Sequence, residues 1–341
     1  MMILPEDLRA AVQRGILTEA QSAQLIGLAM SRQTAKQGVA AVEEPFVLFK
    51  GFNEIFVVVG LTILFIGWVG VATLMGLDMN APAGITTMLL SGLTIAGLAV
   101  LGRYFTTKRR MVAPSIALSV MTALAAVVLG FALLGDLFGE YVLAAVSFFV
   151  AIVMTVHFRL FRIPFSAAII AGATYFAIFA AWRLWFGADA LGMTVLTVVF
   201  GLAVFALAMR LDLSDPLRVS TRSATAFWLH VVAAPAIVNT VALRLLADGG
   251  AAAQTGLLAF LLLIALVAVV IDRRSFLISG AGYSVALAAM LFEGGAAIAI
   301  LILGLALVLL GAGWDRLRAR LMTALPDFPG KANLPAYGVT P

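Results

Sequence analysis

The chain has 341 residues, of which 63% are hydrophobic and 11% are charged, and its mean hydropathy is +1.10. A soluble protein of this length needs more charge to cover its surface, so composition excludes that class. The net charge of +5 does not indicate nucleic-acid binding, because the basic residues lie in short segments beside apolar stretches, where anionic lipid accounts for them. The lack of cysteine excludes disulfides, thiolate catalysis and cysteine-ligated metals.

Residues 1–42 predict a cytoplasmic helical hairpin followed by a polar linker. Pro5 suits the first turn of a helix, and Gly15 is placed to end that helix. Thr18 and Gln21, three residues apart, match a capping box and predict the start of a second helix. We expect this head to be a separate module and a candidate surface for a protein partner.

Residues 43–314 predict an interfacial helix and a transmembrane domain. Phe46, Phe49, Phe52 and Phe56 recur at helical spacing, which is typical of a segment at the membrane surface. Ten apolar stretches follow, and a helix needs about 20 such residues to cross a bilayer. The predicted fold is therefore all-α, a polytopic bundle with spans at Ile55–Met75, Gly84–Leu101, Val112–Leu134, Val142–His157, Ile163–Trp182, Leu191–Met209, Ala224–Leu245, Thr255–Ile271, Phe276–Leu291 and Ala296–Gly313.

The basic residues orient these spans. Of the 22 lysines and arginines, only Arg183 and Arg244 lie in the gaps that follow odd-numbered spans. Cytoplasmic loops carry the basic excess, so both termini, including the proline-containing tail 315–341, are predicted to be cytoplasmic. Abundant arginine and alanine favour a bacterial source. The expected location is thus the inner membrane of a bacterium, with the lipid bilayer as one partner.

The basic turns recur along the chain. Arg110, Arg162, Arg222 and Arg274 are separated by 52, 60 and 52 residues. This spacing predicts four helical hairpins, formed by spans 2–3, 4–5, 6–7 and 8–9. Ten spans with both ends on one side also permit a 5+5 inverted repeat, as in many transporters. The sequence leaves both arrangements open.

The seventh span carries the candidate substrate-binding residues His230, Pro235 and Asn239. His230 is the deepest titratable side chain, and Pro235 removes a backbone hydrogen bond, which predicts a kink. Broken helices mark binding sites in carriers, because their freed backbone groups must face protein or water. The alternative for His230 is a hydrogen-bonded role in packing.

The sequence contains no motif for a metal site or for catalysis. Two histidines without cysteine exclude a histidine-rich metal site, and the sequence has neither an HExxH motif nor paired intramembrane aspartates. We therefore predict no enzyme activity, no catalytic residue, no metal and no cofactor. Small residues let helices approach closely in lipid, so close helix contacts are predicted at glycines of four spans: Gly60, Gly67, Gly70, Gly92, Gly97, Gly280, Gly282, Gly304 and Gly311.

The head carries the turn Gly15-Ile16-Leu17-Thr18 with Gln21. In this turn and in its layout the chain resembles bacterial polytopic predicted membrane proteins of unknown function, which open with a cytoplasmic helical hairpin before eight to twelve spans. Matching residues occur only within a segment of about 30 residues, and the rest of the resemblance is one of hydropathy. It implies a fold and no activity.

Two classes of function remain. A carrier of a small neutral or amphiphilic solute is favoured by the span count and by the proline-containing seventh span. A non-transporting scaffold or accessory subunit, which binds a partner through the head, is favoured by the scarcity of charge within the spans. A polar cavity at mid-membrane reached by His230 or Asn239 would favour the carrier, and a packed bundle would favour the scaffold.

Overall fold

The computed structural model describes residues 52–78, 83–216, 218, 220–291, 296–335 and 337, together with Ala11, Arg14, Ile16, Thr18 and Gln21 in the head. The chain divides into two compact units, Met1–Phe46 and Val47–Pro341. The division falls four residues beyond the predicted boundary at 42, and it keeps the tail in the second unit.

In the first unit, the predicted capping box is confirmed. The Thr18 N–H donates to Gln21 Oε1 at 3.0 Å, and the Gln21 N–H donates to Thr18 Oγ1 at 3.2 Å. The rest of the predicted head hairpin, and Phe46 and Phe49 of the phenylalanine stripe, lie outside the described residues. Phe52 and Phe56 are exposed, as expected for an interfacial face.

Within the described residues, the second unit consists of helices joined by short turns, without strands, and each of the ten predicted spans coincides with one helix. In the part of the chain that the structure describes, seven helical segments are apolar and long enough to cross a membrane, and one of them, Val112–Phe161, contains both α3 and α4. The chain is thus a helical membrane protein. Its helices are α1 (Phe52–Asp78), α2 (Ala83–Gly102), α3 (Val112–Phe138), α4 (Val142–Phe161), α5 (Phe165–Phe186), α6 (Ala190–Leu213), α7 (Thr221–Asp248), α8 (Ala251–Ile271), α9 (Ser275–Leu291), α10 (Ala296–Ala312) and α11 (Trp314–Ala324).

The helices pack as a row of hairpins. Within the row, α2 packs on α3, α4 on α5, α6 on α7 and α8 on α9. The odd-numbered helices α1, α3, α5, α7 and α9 also pack each on the next, and they link the hairpins together. In the same way α3 packs on α4, α7 on α8 and α9 on α10, so consecutive helices lie side by side along the described chain, and the grouping into four hairpins stays a prediction.

The turn of each hairpin uses the same backbone conformation. Arg110, Arg162, Arg218 and Asp272 have φ between 51° and 58°, the left-handed region that non-glycine residues rarely adopt. They follow one another at intervals of 52, 56 and 54 residues. Each lies shortly before an odd-numbered helix, so the repeated unit is a hairpin of about the same length each time.

The glycine prediction is largely wrong. A Cβ added at Gly60, Gly67, Gly70, Gly92, Gly97, Gly282, Gly304 or Gly311 would meet nothing within 4 Å, and at Gly280 only a leucine side chain at 3.4 Å. Close approaches between helices occur at other glycines, such as Gly130 of α3 and Gly201 of α6. At Gly201 a Cβ would lie 2.8 Å from Ile237 Cγ1 and 3.0 Å from Ala236 Cβ of α7. Composition identifies small residues, but not the helix face that meets a neighbour.

The tail after α10 is also ordered helix. α11 packs against α8 and α10, and Trp314 at its start is 2% exposed. A 3₁₀ turn at Lys331–Asn333 follows. The segment thus belongs to the bundle end at which α6 finishes and α7 begins.

Candidate functional site

Asp212 is a buried carboxylate in the last turn of α6. A negative charge at a helix C-terminus meets the negative end of the helix dipole, and burial removes water, so the position needs cationic partners. Arg273, in the α8–α9 turn, supplies one with two hydrogen bonds. Its Nε donates to Asp212 Oδ2 at 3.0 Å, and its Nη2 donates to Oδ1. Arg273 is 0% exposed.

His230 of α7 is a third member of this buried group. Its Nε2 lies 2.9 Å from Asp212 Oδ2, and its side chain is fully buried. The rings of Phe205 and Phe276 pack against the imidazole, with centroids 5.6 and 5.9 Å away. The ionised carboxylate can only accept a hydrogen bond, so Nε2 carries the hydrogen and donates it. Nδ1 is buried and has no hydrogen-bond partner within the described part of the chain.

A fourth residue lies at the edge of the ion pair. Arg273 Nη2 is 3.4 Å from the Ser223 carbonyl oxygen and 3.5 Å from Ser223 Oγ, near the limit for hydrogen bonding. We call Asp212, Ser223, His230 and Arg273 the Asp212 cluster. It joins the end of α6, the start of α7 and the α8–α9 turn through charged groups held out of water.

A second group, the Asp272 cluster, lies beside the first and consists of Arg218, Asp272, Trp314 and Arg318. Asp272 ends α8 and its carboxylate has partners on both oxygens. Oδ2 accepts from Arg218 Nη1 at 2.8 Å, and Oδ1 accepts from Trp314 Nε1 at 2.7 Å. Arg318 Nε lies 4.0 Å from Oδ1.

Arg218 also closes the end of α8. Its Nη2 donates to the carbonyl oxygens of Ile271 and Asp272, at 3.0 and 2.9 Å, which are groups that a helix end leaves without partners. Burial and the neighbouring Arg273 lower the pKa of Arg218 to about 10, against the opposing attraction of Asp272. The guanidinium therefore stays charged at neutral pH.

Two buried cations hold the tail in place. Arg318 Nη2 donates to the Pro335 carbonyl oxygen at 2.7 Å, and burial lowers the pKa of Arg318. Lys331 Nζ donates to the Leu325 carbonyl oxygen at 2.7 Å. The same bundle end thus includes the tail as far as residue 335.

The hairpins nearer the N-terminus carry smaller polar groups at the corresponding ends. His157 Nδ1, at the end of α4, is 3.2 Å from Ser166 Oγ at the start of α5, and Ser166 Oγ donates to Ser119 Oγ of α3 at 3.4 Å. Glu54 Oε2 accepts from the Ala113 N–H at 3.1 Å, so it caps the start of α3.

The three predicted substrate-binding residues do not share one environment. His230 is buried in the Asp212 cluster, Pro235 is exposed on the helix surface and Asn239 is half-buried. α7 is assigned as one helix through Pro235. The sequence analysis missed Asp212 and Arg273. Two features of the sequence point to these residues. One is an acid, Asp212, in the last turn of an apolar span, and the other is a second acid, Asp272, beside two arginines in a short turn.

The grooves between the helices are mainly apolar. One of about 560 Å³ between α1, α2 and α3 is lined by residues such as Phe65, Val69 and Leu124, with a few hydroxyls. Within the described residues, no group of three or more histidine, aspartate or glutamate side chains could hold a metal ion. Comparison of the chain with family models, curated proteins and solved structures finds no match.

Proposed function

We propose that the protein crosses the inner membrane of a bacterium ten times, with both termini in the cytoplasm. The distribution of basic residues supports this orientation. The contacts agree with this orientation, because the helix ends that the basic residues assign to the cytoplasm contact one another. The end of α6, the start of α7, the α8–α9 turn and the start of α11 share the Asp212 and Asp272 clusters.

Single cysteines test this topology against a background without native thiols. We expect a membrane-impermeant maleimide to label cysteines at Asp136, Ala188 and Asp248 in intact cells. Cysteines at Lys108 and Asp327 are expected to react only after the membrane is opened. All five positions are exposed, so failure to react reports sidedness rather than burial. Labelling of Lys108→Cys from outside would reverse the orientation.

We propose further that the protein is a non-transporting membrane scaffold or accessory subunit, whose partner binds on the cytoplasmic side. One observation carries this proposal: the buried charges gather at the helix ends, whereas the grooves between helices are lined mainly by apolar side chains. His230, the residue expected to reach a polar cavity, instead packs against two aromatic rings. The head, a separate compact unit with its own capped turn, is the candidate for partner binding.

A carrier of a small solute remains the second candidate, and the Asp212 cluster is the observation that favours it. Ionisable groups buried within membrane-spanning helices are rare and often mark proton or substrate pathways. The cluster links α6, α7 and the α8–α9 turn, so a change in its hydrogen bonds would alter how these three elements pack on one another. If the protein is a carrier, Pro235 and Asn239, farther along α7, would shape the pathway of the solute.

Complementation of a deletion strain separates the two functions. We expect a protein without residues 1–42 to insert at normal levels and fail to restore the phenotype. Pro235→Ala and Asn239→Ala, which touch no charged contact, are expected to restore it fully. The carrier function predicts the opposite pattern, in which the headless protein works and the two α7 variants do not. Immunoblots of membrane fractions confirm that all the proteins are present in equal amounts.

A further inference from the structure

Two adjoining grooves lie where α4, α5, α6 and α7 meet at the predicted cytoplasmic end. The outer one, of about 450 Å³, is lined by Phe158, Arg159, Arg162 and Thr221. The inner one, of about 460 Å³, shares Phe158 and Thr221 with it and adds Arg222 at the start of α7. We call the two together the Arg159 groove.

The mouth of the Arg159 groove is strongly basic. Arg159, Arg162 and Arg222 are all exposed, and neither groove has a carboxylate among its described lining residues. None of the three arginines takes part in an ion pair with a described acid. Guanidinium groups suit phosphate because they present several donors in one plane. The mouth therefore offers a site for a phosphate group.

The interior of the groove is lined mainly by apolar side chains. On α5 its wall is formed by Ala167 and Ala171, whose small side chains leave room, and on α6 it extends from Leu211 back to Phe200. Eleven residues of helix cover about 16 Å. That depth is close to half of the hydrocarbon thickness of about 30 Å, so the inner groove spans one leaflet. We call this inner groove the slot.

We propose that the Arg159 groove binds one anionic diacyl glycerophospholipid of the cytoplasmic leaflet. The phosphate lies among the three arginines, and one acyl chain lies in the slot between α5, α6 and α7. Charge selects the occupant, because three cations without an opposing carboxylate attract a lipid with net negative charge more strongly than a zwitterionic one. The groove between α1, α2 and α3, which lacks charged lining residues, has no such preference.

The test uses the full chain in nanodiscs that contain phosphatidylcholine and a small fraction of phosphatidylglycerol with the same acyl chains. We expect the purified protein to retain phosphatidylglycerol, counted by native mass spectrometry, in preference to phosphatidylcholine. One arginine near an anionic surface strengthens binding about 5-fold, so replacing Arg159, Arg162 and Arg222 with glutamine predicts binding weaker by roughly 100-fold. Replacing Arg103, Lys108 and Arg110 with glutamine removes the same charge elsewhere and leaves retention unchanged.

A second variant tests the slot without changing charge. Leu207 lies at the rim of the slot and is 50% exposed. We expect Leu207→Trp to fill the slot and to lower phosphatidylglycerol retention, while glycerol phosphate, which has the headgroup without chains, does not compete. Equal retention of the two lipids by the unmodified protein would overturn the proposal. So would an equal loss in the two charge-matched triple variants, or full competition by glycerol phosphate.

Discussion

Replacing Asp212 with asparagine is expected to lower the free energy of unfolding by about 3–5 kcal/mol, the range for breaking a buried ion pair by removing one partner. Asparagine keeps the shape of the side chain but leaves the guanidinium of Arg273, which is 0% exposed, without its counter-charge. The loss arises mainly from that unpaired buried charge. Unfolding of the purified protein in mixed micelles measures it.

Two further variants identify the cause of that loss. Arg210→Gln removes an exposed charge two residues earlier on the same helix, and we expect a change within about 0.5 kcal/mol. Combining Asp212→Asn with Arg273→Met removes both members of the pair, so much of the stability is expected to return. If Asp212→Asn behaves like Arg210→Gln, the cluster does not contribute to stability.

The positions of the helices could be predicted because the bilayer fixes the length of an apolar stretch. Each predicted span, from Ile55–Met75 to Ala296–Gly313, coincides with one helix, and most helix ends differ from prediction by a few residues. The packing of consecutive helices side by side also followed from the sequence, since the turns between them are short.

The contacts between distant residues could not be predicted in this way. Asp212 and Arg273 are 61 residues apart, and each alone reads as an ordinary charge at the end of a span. His230 was identified as unusual, but its partner lies on the preceding helix rather than farther along its own. Which residues meet depends on the rotation of each helix about its axis. In an almost uniformly apolar helix such as α6, little in the sequence marks the face that turns inward.

Gly201 gives the second large expected effect, because its position on α6 faces α7 with no room for a side chain. Adding a methyl group there places a Cβ 2.8 Å from Ile237 Cγ1 and 3.3 Å from the Ile237 backbone nitrogen, so the two helices must separate. Overpacking of this kind costs about 1–3 kcal/mol, and Gly201→Val should exceed Gly201→Ala. Thermal unfolding in a mild detergent measures both variants.

Gly172 of α5 provides the matched control, since a Cβ at that position meets nothing within 4 Å. Alanine is favoured over glycine inside a helix by about 1 kcal/mol, so Gly172→Ala is expected to raise stability slightly. Glycine to alanine is thus expected to lower stability at Gly201 and to raise it at Gly172, according to whether a neighbouring backbone is present.

Because α6 and α7 also carry Asp212 and His230, separating the two helices at Gly201 is expected to weaken the hydrogen bond between these side chains. The combination of Gly201→Ala with Asp212→Asn should then cost less than the sum of the two, whereas strict additivity would show that the helix contact and the ion pair are independent.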